Sequence, residues 1–459
     1  MTGLTLGIAA IGSIFVVLLS PVYGLIAYVA VLTWYPGNMT AKVGTVDFSA
    51  SRIVAMVMIV SLLVRPGQLR KFRLILLDKL VIVFFVCQIL AGIITAPILS
   101  EFLINRAGAV FDLVLPYFAV RLTLIEKQQY LKFLKYLLII ASPLALLGLC
   151  EAVTGYNVFS PLHKYAAWGD TGEYIPGMRF GFHRARVSFP VHIHFGLFFA
   201  MTGALCAGLF RSVRTNKWIY MGAMGILGMG VFASMSSGPV LAAFVSCVFI
   251  VFFNYRHYWK PALISVVALC SIVEIASNRH FYDVMGDFTM DSRTAWYRSR
   301  LMDVAFFEGG MKGHWLTGYG YGVDPKWSEK IDRRDHTDIV NHYLLILSRF
   351  GLVGFLPFFA ANIVALKNLL KALRMAALES DKWLVWCLMA GMLGLGGVFF
   401  TTSLFGQPRT IYYMMLGFCG AMPSLIIRER PIPVQNRTRR RAQVSQKKDV
   451  PVGVTGSDR

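Results

Sequence analysis

Charge is scarce in this chain, and acidic charge scarcest of all. Lys and Arg number 45 against 24 Asp and Glu, and together they make up only 15% of 459 residues. That is too little to clothe the surface of a soluble protein of this length. Cysteine is present but badly placed for bridging. All seven (Cys87, Cys150, Cys206, Cys247, Cys270, Cys387, Cys419) fall inside apolar runs. The pattern predicts no disulfide framework and no cysteine-based metal site. No basic residue precedes Lys42, so the charged start of a signal peptide is missing and the first apolar segment is expected to be retained. Zinc-ligand spacing, a P-loop, a nucleophile elbow and internal repeats are all missing too, and Asp283, Asp287 and Asp291, four apart, do not form a metal-binding pattern.

What fills the chain instead is hydrophobic sequence: 56% apolar residues and a mean hydropathy of +0.60. The runs are long enough to cross a ~30 Å hydrocarbon core at ~1.5 Å per helical residue. Lipid offers backbone amides no partner, so such runs must be helical. The expected fold is therefore all-α, a polytopic membrane protein with twelve or thirteen transmembrane helices over residues 1–427. Residues 4–35 form one apolar stretch interrupted at Pro21, read either as a kinked helix or as two short ones. Further spans are expected at 52–64, 80–98, 105–120, 133–153, 188–210, 218–234, 239–253, 261–276, 339–366, 383–403 and 410–427.

The net charge of +21 gathers in short loops and in the tail, which reads as membrane topology and not as nucleic-acid binding. Basic clusters at 65–79, 121–135, 211–217, 254–260, 367–382 and 428–448 all fall on one side of these spans. The positive-inside rule makes that side cytoplasmic, together with a basic, disordered tail at 428–459. Two long segments, about 154–187 and 277–337, then lie outside. A connection as long as the second is usually functional or disordered, and its Trp296, Tyr297, Trp315, Tyr319, Tyr321 and Trp327 favour order. Ser292 to Phe307 is expected to form an amphipathic helix at the interface.

Candidate chemistry sits in these outer segments. The first ends in Arg179, His183, Arg184 and Arg186, with His192 and His194 entering the next span. Guanidinium groups bind phosphate through paired, charge-assisted hydrogen bonds and stay charged where water is scarce. Ionisable groups inside a membrane are costly and need a reason. The second carries Arg279, Arg293, Arg298 and Arg300, with Arg293 and Arg298 flanking Trp296-Tyr297, and then Gly318-Tyr319-Gly320-Tyr321-Gly322. At its re-entry stand His336, Asp338, Asn341 and His342. A histidine there suits proton abstraction near neutral pH. Asp338, four residues earlier, would share its face and orient the imidazole if the helix reached that far. The plain alternative is that Asp338 and Asn341 only cap a helix. Asp112, Glu151 and Glu274, in or near spans, suit a proton path or pairing with Arg106.

The order of these pieces resembles the bacterial O-antigen ligase and Wzy-type polysaccharide polymerase superfamily over about residues 180–360. The pieces are Phe189-Pro190, Phe195-Gly196, Ser236-Ser237-Gly238, Ser292-Arg293-Thr294, Arg298, the alternating glycines, Asn341-His342-Tyr343-Leu344, Gly351 and Gly354. The resemblance implies a membrane glycosyltransferase with a GT-C-like architecture and a large periplasmic loop. It implies a glycan donor on undecaprenyl pyrophosphate, a glycan or lipid-linked acceptor, and neither metal nor cofactor. It also implies arginines that hold the pyrophosphate and a histidine base. By position Arg186, Arg293 and Arg298 match family arginines. The expected catalytic residues are then His342, Arg186 and Arg298, with Arg184, Arg293, Asn341, Asp338 and His336 binding substrate. One departure stands out. The ligase pattern has histidine immediately before the asparagine, where this chain has Val340. Either His342, His336 or Asp338 has taken the role, or no such base is needed, and a polymerase fits better than a lipid A–core ligase. A lipid-linked oligosaccharide flippase is the rival class, although carriers more often show short loops and repeated halves.

Overall fold

The computed structural model describes residues 2–43, 46–167, 177–212, 216–277, 292–333 and 335–427. The basic tail, Arg279 and the Asp283–Asp287–Asp291 series lie outside the described residues, as does the Arg293 side chain. The protein is an α-helical polytopic membrane protein, and among the described residues sheet is confined to two short ribbons, Thr40–Val43 with Val46–Ser49 and Met178–Arg179 with Phe182–His183. Among the described residues, seven helices are long and apolar enough to cross a membrane: Leu76–Thr95, Leu99–Thr123, Lys127–Thr154, His192–Arg211, Ser237–Tyr258, His342–Met375 and Gly406–Ile427. Shorter apolar helices stand beside them at Thr2–Leu18, Pro21–Trp34, Ala50–Val64 and Lys217–Ala233.

The N-terminal stretch is two helices. Pro21 has no N–H to continue the first one, so the chain breaks at Ser20 and starts again with proline in the first helical turn. Thr5 Oγ1 meets Tyr35 Oη at 2.8 Å, which brings the start of the first helix beside the end of the second. The pair is an antiparallel hairpin.

Burial separates an inner layer from an outer one. The most apolar stretch of Gly406–Ile427 is 83% buried and that of His192–Arg211 78%, against 28% for Ser237–Tyr258. Gly406–Ile427 packs against His342–Met375 and the Leu99–Thr123 helix and forms the central pillar. Outer helices expose apolar side chains such as Ile14, Val17, Val86, Ile93, Phe244 and Ile264, a surface that lipid solvates and water would not.

Among the described residues, antiparallel succession places the basic loops at 65–79, 121–135, 254–260 and 367–382 at one end of the bundle. That end is tied by ion pairs, those of Asp78 and Asp381 buried and that of Glu379 exposed. Asp78 accepts from Tyr117 Oη at 2.6 Å, from Arg121 Nε at 2.8 Å and from the Ile75 amide at 2.8 Å. Lys127 Nζ reaches Asp381 Oδ1 at 2.9 Å. Arg256 and Lys382 share Glu379.

At the opposite end the second long segment folds onto the bundle. A helix over Ser292–Met302, continued by a π-turn over Asp303–Phe307, spans the predicted amphipathic stretch. It packs on the bundle through one face. Leu301, Val304, Met311 and Trp327 build a small core with Ile339, Leu344 and Leu347 at the start of the His342 helix.

Candidate functional site

A cavity of about 670 Å³ opens at this end, and each wall has a local cause. The Leu99–Thr123 helix widens into a π-turn at Val110–Val114, a geometry common at functional sites, and Asp112 within it lines the cavity. Arg52, near the start of Ala50–Val64, grips that carboxylate twice, Nε to Oδ1 at 2.9 Å and Nη2 to Oδ2 at 2.7 Å. Asp112 therefore pairs with Arg52 and not with Arg106, as the sequence had suggested. Arg106 instead donates to Gln88 Oε1 at 2.5 Å and to Asn105 Oδ1 at 2.8 Å. Glu151 accepts from the Val187 amide and from Asn157 Nδ2, which holds down the end of the first long segment.

The third wall depends on a break in the His342–Met375 helix. Gly351 adopts φ 57° and ψ −161°, a conformation open only to glycine without strain. The ladder cut there is rejoined to the preceding loop: Leu352 N donates to Trp315 O at 2.8 Å, Val353 N to Leu316 O at 3.2 Å, and Tyr319 N to Ser348 O at 2.7 Å. A Cβ on Gly351 would run into the Leu316 carbonyl, and one on Gly318 into the Arg349–Phe350 backbone. These close approaches deliver Tyr319, Tyr321 and Arg349 to the cavity.

The last wall is the turn 399–405 and the first turn of the pillar helix, which contributes Ser403, Leu404, Phe405, Gly406 and Arg409. Arg106 and Arg349 share the Tyr321 ring, their Cζ atoms 4.4 and 5.0 Å from its centroid. Burial raises the Tyr321 pKa, but Arg349, Arg409 and Arg106, with a hydrogen bond from Asn105, outweigh it and hold the phenol below its ordinary value. Among the described residues, neither Arg349 nor Arg409 has a carboxylate or hydrogen-bond partner. Two guanidinium groups left unmatched in a part-buried cavity form a place for an anion.

The residues expected from the sequence divide around this cavity. Asp338 and His336 line it and are exposed. Asp338 is not on a helix with His342, because the helix begins at His342 itself. Asn341 is its N-cap, Oδ1 taking the Leu344 amide at 3.0 Å. His342 lies buried behind the lining, with Nδ1 receiving the Leu404 amide at 3.1 Å and its ring against Phe399 and Phe358. Its imidazole is thus oriented by the turn 399–405 and not by Asp338. Arg184 donates to Ser236 Oγ at 3.0 Å and Arg186 to Pro190 O at 3.3 Å. His194 Nε2 meets Ser403 O at 3.3 Å. That first cluster abuts the far side of the same turn, without lining the cavity. Arg298 stands half-buried on the Ser292 helix, also outside the lining. Arg349 and Arg409 went unread, although an arginine inside an apolar run is itself a signal.

Residues 222–359 match the O-antigen ligase family model. The similarity is consistent with the O-antigen ligase and Wzy-type superfamily. It takes in Arg298, Tyr321, Asp338, His342, Arg349 and Gly351 and stops before Arg409; Arg52, Arg106, Arg184 and Arg186 lie outside it. No curated protein matches the chain. Similarity to the O-antigen ligase family over residues 222–359, within a multi-pass helical bundle, supports a role in assembling O-antigen or a related polysaccharide and fits a bacterial inner membrane.

Proposed function

We propose that the protein is a membrane glycosyltransferase that transfers or polymerises a glycan carried on undecaprenyl pyrophosphate. It would work at the periplasmic face, in O-antigen or exopolysaccharide synthesis, with polymerisation favoured over transfer to lipid A–core. The observation that carries this reading is the pair of unmatched guanidinium groups, Arg349 and Arg409, in a cavity at the end of the bundle away from the basic loops. A pyrophosphate at a membrane surface needs that charge, and the polyprenyl tail needs the apolar flank beside it.

The step is an in-line displacement with inversion. An acceptor hydroxyl attacks the anomeric carbon of the donor, the bond from that carbon to the pyrophosphate oxygen breaks, and the polyprenyl pyrophosphate leaves with the electron pair. Arg349 and Arg409 neutralise the charge growing on the leaving oxygen, a form of stabilisation worth about 100-fold or more in rate per group. In this reading arginines, rather than a metal ion, balance the pyrophosphate. The hydroxyl proton passes to Asp338 or His336, two exposed titratable groups that line the cavity. His342 positions the turn 399–405 through Leu404, and Arg184, Arg186, Arg293 and Arg298 guide the anionic donor as it approaches.

Purified protein in lipid nanodiscs, supplied with lipid-linked repeat units, tests this directly. Glycan chains that lengthen, with free undecaprenyl pyrophosphate released, are expected. Movement of the intact lipid-linked donor between leaflets, with no new glycosidic bond, would replace this reading with a flippase.

A further inference from the structure

A second, smaller chamber of about 280 Å³ adjoins the cavity, and its chemistry is different. The two share Asp47, Arg52, Asn105, Asp112 and Gly406 as walls. Arg52 brings no free charge to it, because Asp112 and the Asp47 carbonyl occupy its guanidinium. The rest of the lining is uncharged: Thr40, Ser49, Ser51, Gln407 and Thr410 offer hydrogen bonds, beside Leu32, Gly37 and the rings of Tyr28 and Phe111. Asp47 accepts from Thr40 Oγ1 at 3.3 Å and has a second oxygen to offer.

An orphaned atom points to a ligand. Gln407 is 2% exposed, and its Nε2 donates to Ser188 O at 3.2 Å. Its Oε1 is buried with no donor in reach. Buried acceptors are nearly always satisfied, and an empty one costs about 1–3 kcal/mol. Gln407 lines the chamber, so a hydroxyl group bound there would supply the missing donor after a small turn of the amide. Hydroxyl groups around an apolar ring face match this lining; a phosphate, which needs a free cation, does not.

We infer that this chamber is the acceptor subsite, taking one uncharged sugar ring so that its hydroxyl faces the anion-binding cavity across the Arg52–Asp112 pair. The inference rests on the transfer reading above, since it assigns the second substrate of that reaction.

The test is binding by the full chain in nanodiscs, with two probes: inorganic pyrophosphate, and the repeat-unit oligosaccharide released by mild acid from the host's lipid-linked repeat units. A Cβ on Gly37 would sit 3.6 Å from Gln407 Cδ, so Gly37→Leu fills the chamber. Thr410→Val removes one hydroxyl at nearly constant volume. Gly37→Leu is expected to weaken oligosaccharide binding at least tenfold and Thr410→Val severalfold, with pyrophosphate binding unchanged in both. If Gly37→Leu fails to fold, Thr410→Val and Gln407→Leu carry the test. Oligosaccharide binding that survives these substitutions, or none in the wild type, overturns the subsite. Pyrophosphate binding indifferent to Arg349→Gln strikes the transfer reading instead.

Discussion

The two ends of the bundle treat the same residue type in opposite ways. At the basic end the buried cations are matched: Arg121 with Asp78, Lys127 with Asp381. At the cavity end Arg52 is matched by Asp112, but among the described residues Arg349 and Arg409 are not. Removing charge from water costs several kcal/mol per ion unless a partner repays it. A matched pair is what a fold requires of itself, and an unmatched one reserves its partner for something that arrives later. The contrast separates architecture from site more sharply than residue type does.

The largest effect should come from breaking a matched pair. Asp78→Ala strands Arg121, the Tyr117 hydroxyl and the Ile75 amide, and should destabilise the detergent-solubilised protein by about 3–5 kcal/mol, read as a fall in melting temperature. Arg349→Gln or Arg409→Gln should do the reverse. Transfer should fall about 100-fold with melting unchanged. Arg186→Gln and Arg298→Gln, which lie outside the cavity lining, should cost less than either in the same assay; a larger loss would move the pyrophosphate to the first cluster. Gly351→Ala meets both a left-handed backbone and the Leu316 carbonyl, so about 2 kcal/mol of stability should go, with activity falling alongside.

A smaller effect tests the Tyr321 phenol. Its folded pKa is depressed, so it ionises earlier than a free tyrosine as pH rises. The phenolate then neutralises the guanidinium groups that the anion needs. Pyrophosphate binding should weaken on the alkaline side below the ordinary tyrosine range. Tyr321→Phe keeps the ring beneath Arg106 and Arg349 and should abolish that limb, while binding at neutral pH stays within about twofold. An alkaline limb that persists in Tyr321→Phe would assign it to another group.

The membrane class was legible because apolar length is written directly in the chain. So were the Ser292–Phe307 helix and the break at Pro21, although only the packing of Thr5 on Tyr35 makes that break a hairpin. The position of Asn341 was legible as a boundary, and it proves to be a cap. The pair of cavity arginines was not. Arg349 sits inside a run that hydropathy reads as one span, and only the break at Gly351, with the loop 315–319 supplying the missing hydrogen bonds, places it in the cavity. Arg409 comes from a different helix 60 residues away, and no local pattern joins the two. His342 drew attention by its type and position, yet the Leu404 amide that occupies its Nδ1 is also a long-range contact, invisible along the chain.

The central claim is that unmatched guanidinium groups hold a pyrophosphate. It is tested most directly by titrating inorganic pyrophosphate into the nanodisc-embedded wild type and the Arg349→Gln/Arg409→Gln double variant. Saturable binding by the wild type, weakened at least 100-fold in a double variant that melts at the same temperature, is the predicted result. Equal binding by both proteins would contradict it.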